Sequence, residues 1–363
     1  MSKEPATPYV LLDAQIVRRN LDRMASYARD HRLCLRPHTK THKSTRIAQM
    51  QLARGAVGLT VAKVGEAMVM AEVCDDLLLA YPALNPARCA ELVRLARTKT
   101  LHVAVDSIEA VDTIAAAVGS DCPRIGVLVD LDVGHHRTGV QSPADALQLA
   151  QYVDRINGVS LDGILFFPGH LSHGPPQANE PGLRAISVRL SETLDLWKRQ
   201  GLHARIVSGG STPTAMQSDL IPEMTEIRPG TYVFNDMNSV RSGCATLADC
   251  AAKIVATVVS TAVPGQVVLD AGSKTLTSDR CGPAPDSGHG YIVEYPPAMI
   301  TKLSEEHAQV NVARCDRIPK IGERVTIIPN HICPCINLQD DVWWHEPGEI
   351  PQPIPVEARG KVF

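Results

Sequence analysis

The stretch LHVAVDSIEAVDTIAAAVGSDCPRIGVLVD, residues 101–130, decides the fold of this chain. Its mainly apolar segments 101–105 and 124–130 have the length and composition of buried strands, and segment 108–118 between them has apolar residues at helical spacing. Near-continuous apolar strands separated by helices are typical of a parallel sheet covered on both faces. The stretch therefore predicts an α/β protein.

The same alternation extends in both directions along the chain. Further strands are predicted from residue 33 and at residues 57–61, 76–81, 161–166, 204–208 and 226–230. About eight βα units in roughly 210 residues predict a TIM (β/α)8 barrel. An open doubly wound sheet is the alternative, but its usual GxGxxG fingerprint does not follow the first strand.

The pattern of predicted secondary structure changes after residue 244. Short β-rich segments separated by Gly, Pro and Asp occur at residues 255–263, 266–270, 291–295, 309–313 and 323–328. These segments predict an antiparallel β-domain that follows the barrel.

Composition excludes several classes of protein. With 36 Lys and Arg residues against 39 Asp and Glu residues, the chain has no basic excess to hold a nucleic acid. No window approaches the roughly 18 apolar residues of a membrane span, so no membrane association is predicted. The N-terminal sequence lacks a signal-peptide core, and the 10 cysteines are scattered singly. We therefore expect a cytoplasmic protein.

The segment LCLRPHTKTHKS, residues 33–44, ends a predicted strand with an unusual density of basic side chains. It places two imidazoles and two amines within six positions: His38, Lys40, His42 and Lys43. An amine beside imidazoles and Arg36 is a plausible carbonyl-condensing lysine, because neighbouring cations lower its pKa. A solvated basic surface turn is the alternative.

Two later loops have the composition of an anion site. VSGGSTPT, residues 207–214, follows an apolar strand and exposes backbone amides and hydroxyls before helical sequence. IRPGTYVFND, residues 227–236, adds the amide of Gly230 and the phenol of Tyr232. Late βα loops of a barrel are where phosphates commonly bind. A simple capped βα loop is the alternative for the first segment.

Two middle loops bring titratable groups to strand ends. VDLDVGHHRTGV, residues 129–140, contains Asp130, Asp132, His135, His136 and Arg137. GILFFPGHLSH, residues 163–173, places His170 directly after an apolar strand. Both loops indicate a site at the barrel mouth. Alternatively, Asp132 caps a turn and pairs with Arg137, and the histidine is structural.

A second cluster of possible functional side chains lies near the end of the chain, in IIPNHICPCINL, residues 327–338. His331 and Cys333 flank one residue, so on an extended segment both side chains point to the same side and provide two ligands for a zinc-like ion. Two ligands are typical of an open site rather than a structural zinc site. An ordinary buried His and Cys is the alternative.

Taken together, the motifs resemble one family along nearly the whole chain. They are TPYVLLD, RPHTKTHKS, DVGHHRTGV, GGSTPT, RPGTYVFND, LSEEH and PNHICPCINL. The chain resembles the fold-type III pyridoxal-phosphate enzymes typified by D-threonine aldolase and eukaryotic D-serine dehydratase. The resemblance implies an alanine-racemase-like barrel over residues 20–243, a β-domain formed by residues 1–19 and 244–363, and a homodimer.

The resemblance also implies roles for individual residues. Lys40 would bond pyridoxal 5'-phosphate, with His38 and His42 tuning its proton. The phosphate would be held by Gly209, Gly210, Ser211, Thr212, Gly230 and Tyr232. Arg137 and His170 would line the cofactor, and His331 with Cys333 would bind a divalent metal, Zn or Mn/Mg.

The implied activity is that of a lyase acting on small D-β-hydroxy-α-amino acids. Dehydration of D-serine, D-threonine or D-3-hydroxyaspartate is slightly favoured, because Cys333 and TKTHK look like the dehydratase versions of their motifs. The alternative is retro-aldol cleavage, since aldolases of this family tend to have aspartate at the position of Cys333. A racemase or a non-catalytic cofactor-binding protein is less favoured, because neither needs the metal pair.

Overall fold

The structure is a computed structural model that describes residues 5–82, 84–119, 124–171, 175–281 and 287–363. The chain divides into two compact units. We call Arg23–Lys40, Ser44–Gly230 and Lys361–Phe363 the barrel unit. We call Met1–Asp22, Thr41–Lys43 and Thr231–Gly360 the β unit. Among the described helices, none combines the length and the hydropathy needed to cross a membrane.

The first described elements are strand β1 (Tyr9–Asp13) and helix α1 (Ala14–Asp30). The described residues of the barrel unit then form eight parallel strands. They are β2 (Cys34–Leu35), β3 (Leu59–Val61), β4 (Asp76–Leu79), β5 (Thr100–Val105), β6 (Ile125–Asp130), β7 (Val159–Leu165), β8 (Ile206–Gly209) and β9 (Glu226–Ile227). Their order in the sheet is β2-β9-β8-β7-β6-β5-β4-β3.

Hydrogen bonds between the segments around β2 and β3 close this sheet. The amide of Val57 donates to the carbonyl of Leu35, and the amide of Thr60 donates to the carbonyl of Pro37, both at 2.9 Å. His38 also forms a parallel bridge with Thr60. The sheet is therefore a closed barrel, as the alternation of strands and helices predicted.

Helices alternate with the barrel strands. They are α2 (Thr45–Leu52), α3 (Val64–Met70), α4 (Pro86–Ala96), α5 (Ile108–Val118), α6 (Pro143–Arg155) and α7 (Glu180–Arg199). In α5 the buried residues Ala110, Ile114 and Val118 recur every four positions, which places them on one apolar face. Helix α6 begins at a capping serine, Ser142, whose side chain accepts a hydrogen bond from the amide of Asp145.

A layer of buried charged side chains crosses the barrel interior near the strand starts. Arg36 donates from Nη1 to Asp76 Oδ1 at 2.6 Å and from Nε to Glu226 Oε2 at 2.7 Å. His102 Nδ1 lies 2.6 Å from Asp162 Oδ2, and its Nε2 lies 3.4 Å from Asp76 Oδ1. Burial opposes a charged imidazole, but the hydrogen bonds to the two carboxylates outweigh it and raise the pKa of His102.

The β unit contains a second sheet, to which β1 contributes. Its other strands are β10 (Ala252–Ser260), β11 (Gln266–Leu269), β12 (Tyr291–Ile292), β13 (Met299–Leu303), β14 (Ala308–Asn311), β15 (Arg324–Ile328), β16 (Asp341–His345) and β17 (Gln352–Pro355). Three short helices belong to this unit: α8 (Met237–Arg241), α9 (Ser273–Leu276) and α10 (Ile332–Asn337). All pairings are antiparallel except that of β1 with β16, where Leu11 pairs with Trp343 in parallel. The predicted antiparallel domain is thus a mixed sheet.

Candidate active site

Lys40 lies in a short 3-10 helix, Thr39–Thr41, beyond the carboxyl end of β2. Its side chain is exposed, and its amide donates to Nδ1 of His38 at 3.4 Å. The amide of His38 in turn donates to the carbonyl of Pro229 at 3.0 Å. The exposed amine therefore projects from a backbone turn that is fixed to the end of the barrel.

Arg36 is buried and is paired with interior carboxylates. Its residue is 3% exposed, and its guanidinium binds Asp76 and Glu226, which are the first residues of β4 and β9. The predicted influence of Arg36 on Lys40 stays a prediction.

Lys43 belongs to the β unit and is buried. Its Nζ donates to the carbonyl of Ala358 at 3.3 Å, and its own carbonyl accepts from the amide of Ala358 at 2.9 Å. His42, one residue earlier, is also buried. The amine of Lys43 is thus held by the main chain, whereas that of Lys40 is exposed.

The loop after β6 is organised by the carboxylate of Asp132. Its Oδ1 accepts hydrogen bonds at 3.0 Å from the amides of Gly134, His135 and His136. Its Oδ2 pairs with Nδ1 of His136 at 2.8 Å, so the alternative pairing with Arg137 does not occur. The carboxylate therefore caps a turn, as the alternative interpretation of this loop predicted.

Arg137 and His170 come from neighbouring loops of the barrel unit. The guanidinium of Arg137 lies 4.8 Å from the ring centroid of Phe167, the second residue after β7. His170 lies in the 3-10 helix Gly169–Leu171, and its ring is close to Gly134, where an added Cβ would lie 3.2 Å from Nε2. The structure thus brings the loops after β6 and β7 together.

The glycine-rich loop follows β8. Gly209 contacts the ring of Phe166 so closely that a Cβ there would lie 2.1 Å from Cζ, and Gly210 has φ +87°. Ser211 then precedes the 3-10 helix Thr212–Leu220, and its hydroxyl lies 3.0 Å from that of Thr214. Two positions without side chains followed by hydroxyls at a helical N-terminus fit a phosphate group.

Gly230 and Tyr232 fall in different units. Gly230 is the last residue of its segment in the barrel unit, and Tyr232 is buried in the 3-10 helix Thr231–Val233 of the β unit. Their predicted contribution to the phosphate site stays a prediction.

The expected extended conformation of the His331–Cys333 segment is wrong. His331 precedes α10 as its N-cap residue, with φ −139° and ψ 108°, and Cys333 is the second residue of the helix. Pro334 is compatible with this helix because it lies in the first turn, where no intrahelical partner for the amide is needed. The two side chains nevertheless influence the pKa values of each other.

Polar groups around this pair hold it in position. His331 Nδ1 lies 2.7 Å from Asp279 Oδ2, and the thiol of Cys333 donates to the hydroxyl of Thr41 at 3.2 Å. Burial opposes the charged imidazole, but the bonds to Cys333 and Asp279 raise the pKa of His331 to about 9. Burial alone would raise the pKa of the Cys333 thiol, but the imidazole outweighs it and lowers that pKa.

This donor set fits an open divalent-metal site. An imidazole nitrogen and a thiolate sulfur are ligands that zinc-like ions prefer, and a carboxylate on the second imidazole nitrogen fixes the ring as at many metal sites. Cys335 is not a further ligand, because it is buried and its thiol donates to the carbonyls of Leu276 and His331. Within the described ranges, no cluster of three or more His, Cys, Asp or Glu side chains is arranged to hold a metal.

Comparison with known proteins decides the family. The family model of the alanine racemase N-terminal domain matches residues 12–238, and that of a putative serine dehydratase domain matches residues 251–344. The chain belongs to the alanine-racemase-like family of fold-type III pyridoxal-phosphate enzymes. The resemblance found from the sequence motifs is thus confirmed, and with it the prediction of an enzyme at the level of the family.

Similar members of the family have different reactions. D-threonine aldolase from an Arthrobacter species is 31% identical over 98% of this chain and 93% of its own length. D-threo-3-hydroxyaspartate dehydratase from Delftia species strain HT23 is 32% identical over 90% of both chains. A cysteine-to-alanine variant of a D-threo-3-hydroxyaspartate dehydratase, solved in its metal-free form, has a TM-score of 0.88 at 27% identity, with 98% of this chain and 99% of that chain covered.

One residue of this alanine-racemase-like barrel was missed by the sequence reasoning. Arg228, directly after β9, is buried and donates to the hydroxyl of Ser208 at 2.7 Å and to the carbonyl of Phe166 at 2.9 Å. Burial lowers its pKa to about 10. A charge directly after an apolar strand was the available signal for this residue. Asp130, which the sequence did indicate, lies at the end of β6, and burial raises its pKa to about 6.

Proposed function

We propose that the protein is a pyridoxal-phosphate- and divalent-metal-dependent lyase for D-β-hydroxy-α-amino acids, with dehydration slightly favoured over aldol cleavage. The observation that carries the proposal is the exposed amine of Lys40 on a fixed turn at the carboxyl end of a barrel strand, in a chain of this family. Active sites of such barrels lie at the carboxyl ends of the strands.

We assign cofactor contacts to the residues of the predicted site. Lys40 bonds the aldehyde carbon, and Arg137 and His170 line the ring. The phosphate is held by Gly209, Gly210, Ser211, Thr212, Gly230 and Tyr232. When bound, the cofactor supplies an electron sink for the bond that breaks at the α-carbon of the substrate.

Lys40 has a second task in the proposed reaction. Its amine would accept the α-proton of a D-amino acid and later return it to solvent. His38 and His42 tune the proton of this amine. Support for the role of His38 comes from its Nδ1, which accepts the amide hydrogen of Lys40 itself.

We assign the metal, Zn or Mn/Mg, to His331 and Cys333. A metal held there supplies a Lewis acid for the β-hydroxyl of the substrate. Asp279 supports this assignment, because its bond to His331 Nδ1 leaves Nε2 for a metal. Thr41, which accepts the thiol hydrogen of Cys333, is the residue next to Lys40 in the chain.

Two reactions follow from which bond breaks. In dehydration, the α-proton and the β-hydroxyl leave as water, and the released enamine hydrolyses to a 2-oxo acid and ammonia. In aldol cleavage, a base removes the hydroxyl proton, the bond between the α- and β-carbons breaks, and glycine and an aldehyde form. Cys333 favours dehydration, since the aldolases tend to have aspartate at this position.

The test is to incubate the protein with pyridoxal phosphate, zinc or manganese, and each of D-serine, D-threonine and D-3-hydroxyaspartate. We expect a 2-oxo acid and ammonia in equal amounts, detected by coupled reduction and by NMR. If the products are glycine and an aldehyde without any 2-oxo acid, the reaction is aldol cleavage and the proposal of dehydration is wrong. Appearance of the L-enantiomer of the substrate would indicate a racemase. Binding of the cofactor without any turnover would indicate a non-catalytic protein.

A chelator provides the matched control for the metal. Treatment with EDTA should abolish turnover, and addition of a divalent ion should restore it, because ligand binding is reversible. The variant His331→Ala should lose activity that added metal does not restore. Full activity after exhaustive chelation would contradict the metal assignment and leave the assignment of Lys40 intact.

A further inference from the structure

Glu66 is a carboxylate with 0% exposure in the first turn of α3, the helix that follows β3. It is the third residue of α3, and its own amide bonds to the carbonyl of Lys63 at 3.1 Å. A buried carboxylate is costly unless hydrogen bonds compensate the lost hydration. The partners of its two oxygens therefore indicate what the residue does.

One oxygen of Glu66 has a local role. Oε2 accepts a hydrogen bond from the amide of Ala62 at 2.8 Å, just before the helix begins. Acidic residues in the first turn commonly satisfy free amides and complement the helix dipole. This bond accounts for a carboxylate at the start of α3, but it needs only one of the two oxygens.

The other oxygen binds a different βα loop. Oε1 accepts the hydroxyl hydrogen of Thr39 at 2.7 Å. Thr39 also has 0% exposure and immediately precedes Lys40 in the 3-10 helix. The same hydroxyl lies 3.1 Å from the carbonyl of Thr60, at the centre of β3. The turn that carries Lys40 is thus tied to the neighbouring strand and helix through one side chain.

We propose that Glu66 and Thr39 are positioning residues for Lys40. The Thr39 hydroxyl and the Glu66 carboxylate fix the buried side of the turn. The backbone of the exposed lysine on the other side of the turn is therefore held in one position. A side chain with four rotatable bonds condenses efficiently with a bound aldehyde only when its backbone is fixed. The inference rests on the proposed function, because it requires that Lys40 bonds the cofactor.

Thr60 provides a matched control within the same region. Its side chain also has 0% exposure, and its hydroxyl donates to the carbonyl of Arg36 at 2.9 Å. Replacement of either threonine by valine removes one buried hydrogen bond and keeps the shape of the side chain. Only the replacement of Thr39 removes a bond to the turn that carries the lysine.

The experiment measures covalent attachment rather than turnover. Thr39→Val, Thr39→Ser, Glu66→Gln and Thr60→Val are incubated with increasing pyridoxal phosphate, reduced with borohydride, and analysed by peptide mass spectrometry for label on Lys40. In Thr39→Val we expect half-maximal labelling at a concentration roughly ten to a hundred times higher, the effect of losing one hydrogen bond to a charged acceptor. Thr39→Ser, which keeps the hydroxyl, should stay within about twofold of the parent.

Glu66→Gln and a spectroscopic measurement complete the test. Glutamine can still accept from the amide of Ala62, and its amino group can donate to the Thr39 oxygen while the Thr39 hydrogen turns to the carbonyl of Thr60. The charge-assisted bond is lost but the link is kept, so labelling should weaken less than in Thr39→Val. The pH midpoint of the cofactor absorbance near ~420 nm should shift in Thr39→Val and Glu66→Gln and stay unchanged in Thr60→Val.

Three outcomes would overturn the inference. If Thr39→Val and Thr60→Val label Lys40 like the parent, the two residues are structural only. If both weaken labelling equally, the effect is one of general stability, which melting temperatures of the same samples would show. If the parent chain carries no label on Lys40, the proposed function fails together with this inference. Labelling of the parent therefore distinguishes a failure of the proposed function from a failure of the inference alone.

Discussion

Lys40 and Lys43 are three residues apart in one basic segment, yet their amines have different surroundings. The amine of Lys43 is buried and bonded to the carbonyl of Ala358, whereas the side chain of Lys40 is exposed. Sequence motifs favoured Lys40 through a family resemblance alone. The structure adds a physical reason, because an amine that is buried and bonded to a main-chain carbonyl is not accessible to a cofactor in solution.

Alanine substitutions at the two lysines should separate these roles. Lys40→Ala should remove the cofactor absorbance near ~420 nm and lower activity by at least about a hundredfold, because the covalent bond and the proton acceptor are both lost. Lys43→Ala should keep the absorbance and lower the free energy of unfolding by about 1 kcal/mol through the lost hydrogen bond. Absorbance that persists in Lys40→Ala and disappears in Lys43→Ala would mean that Lys43 bonds the cofactor.

Among the strands, the charged layer inside the barrel is the feature that local patterns did not reveal. His102 lies on β5 and bonds Asp162 on β7 and Asp76 at the start of β4. Arg36, directly after β2, bonds the same Asp76 and also Glu226. The strands still appeared apolar, because each contributes only one or two of these charges and leucines and alanines fill the next layer: Leu78, Ala104, Leu128 and Leu165.

This layer predicts a pH-dependent stability. The pKa of His102 is raised in the folded state, so its charged form contributes stability that is complete below its unfolded pKa of ~6.5. That contribution is lost as pH rises through the raised folded pKa. The destabilisation by His102→Gln should therefore be larger at about pH 6 than at about pH 9.

Urea unfolding of parent and variant at both pH values measures this difference. Asp76 does not contribute to this difference. Its hydrogen bonds to His102 and Arg36 outweigh burial and lower its pKa to about 2, so it stays ionised at both pH values. An equal difference in unfolding free energy at both pH values would show that His102 does not change its charge in this range.

The strands of the β unit were harder to predict than those of the barrel. The sequence MITKL of β13 and DVWWH of β16 were not recognised as strands. Both are five residues long and include charged or polar side chains, so neither has a long apolar run. The strand β16 also pairs with a distant part of the chain, since Leu11 pairs with Trp343. Short strands of this kind become stable only through such long-range pairing.

For the whole molecule, the family resemblance predicts a homodimer. Ile318 and Ile321 in the β unit are 55% and 67% exposed. Single exposed apolar residues are common, so they do not by themselves identify an interface. Light scattering of the purified protein at micromolar concentration should give twice the mass of one chain. A single-chain mass throughout the micromolar range would contradict the dimer.

The sequence by itself determined the architecture and the sites to examine. Alternating apolar strands and helices predicted the barrel, and the glycine-rich loop and the His331–Cys333 pair were recognised from a few adjacent residues. Such patterns are local, because they depend on the periodicity of burial and on turn chemistry.

Only the tertiary structure decided which side chains meet. It placed Arg36 among interior carboxylates, brought Asp279 to His331 across 52 positions in the chain, and linked Glu66 to the turn of Lys40. No local pattern specifies these contacts, because their partners come from different strands and loops. They form where packing and the need to compensate buried charge bring distant residues together.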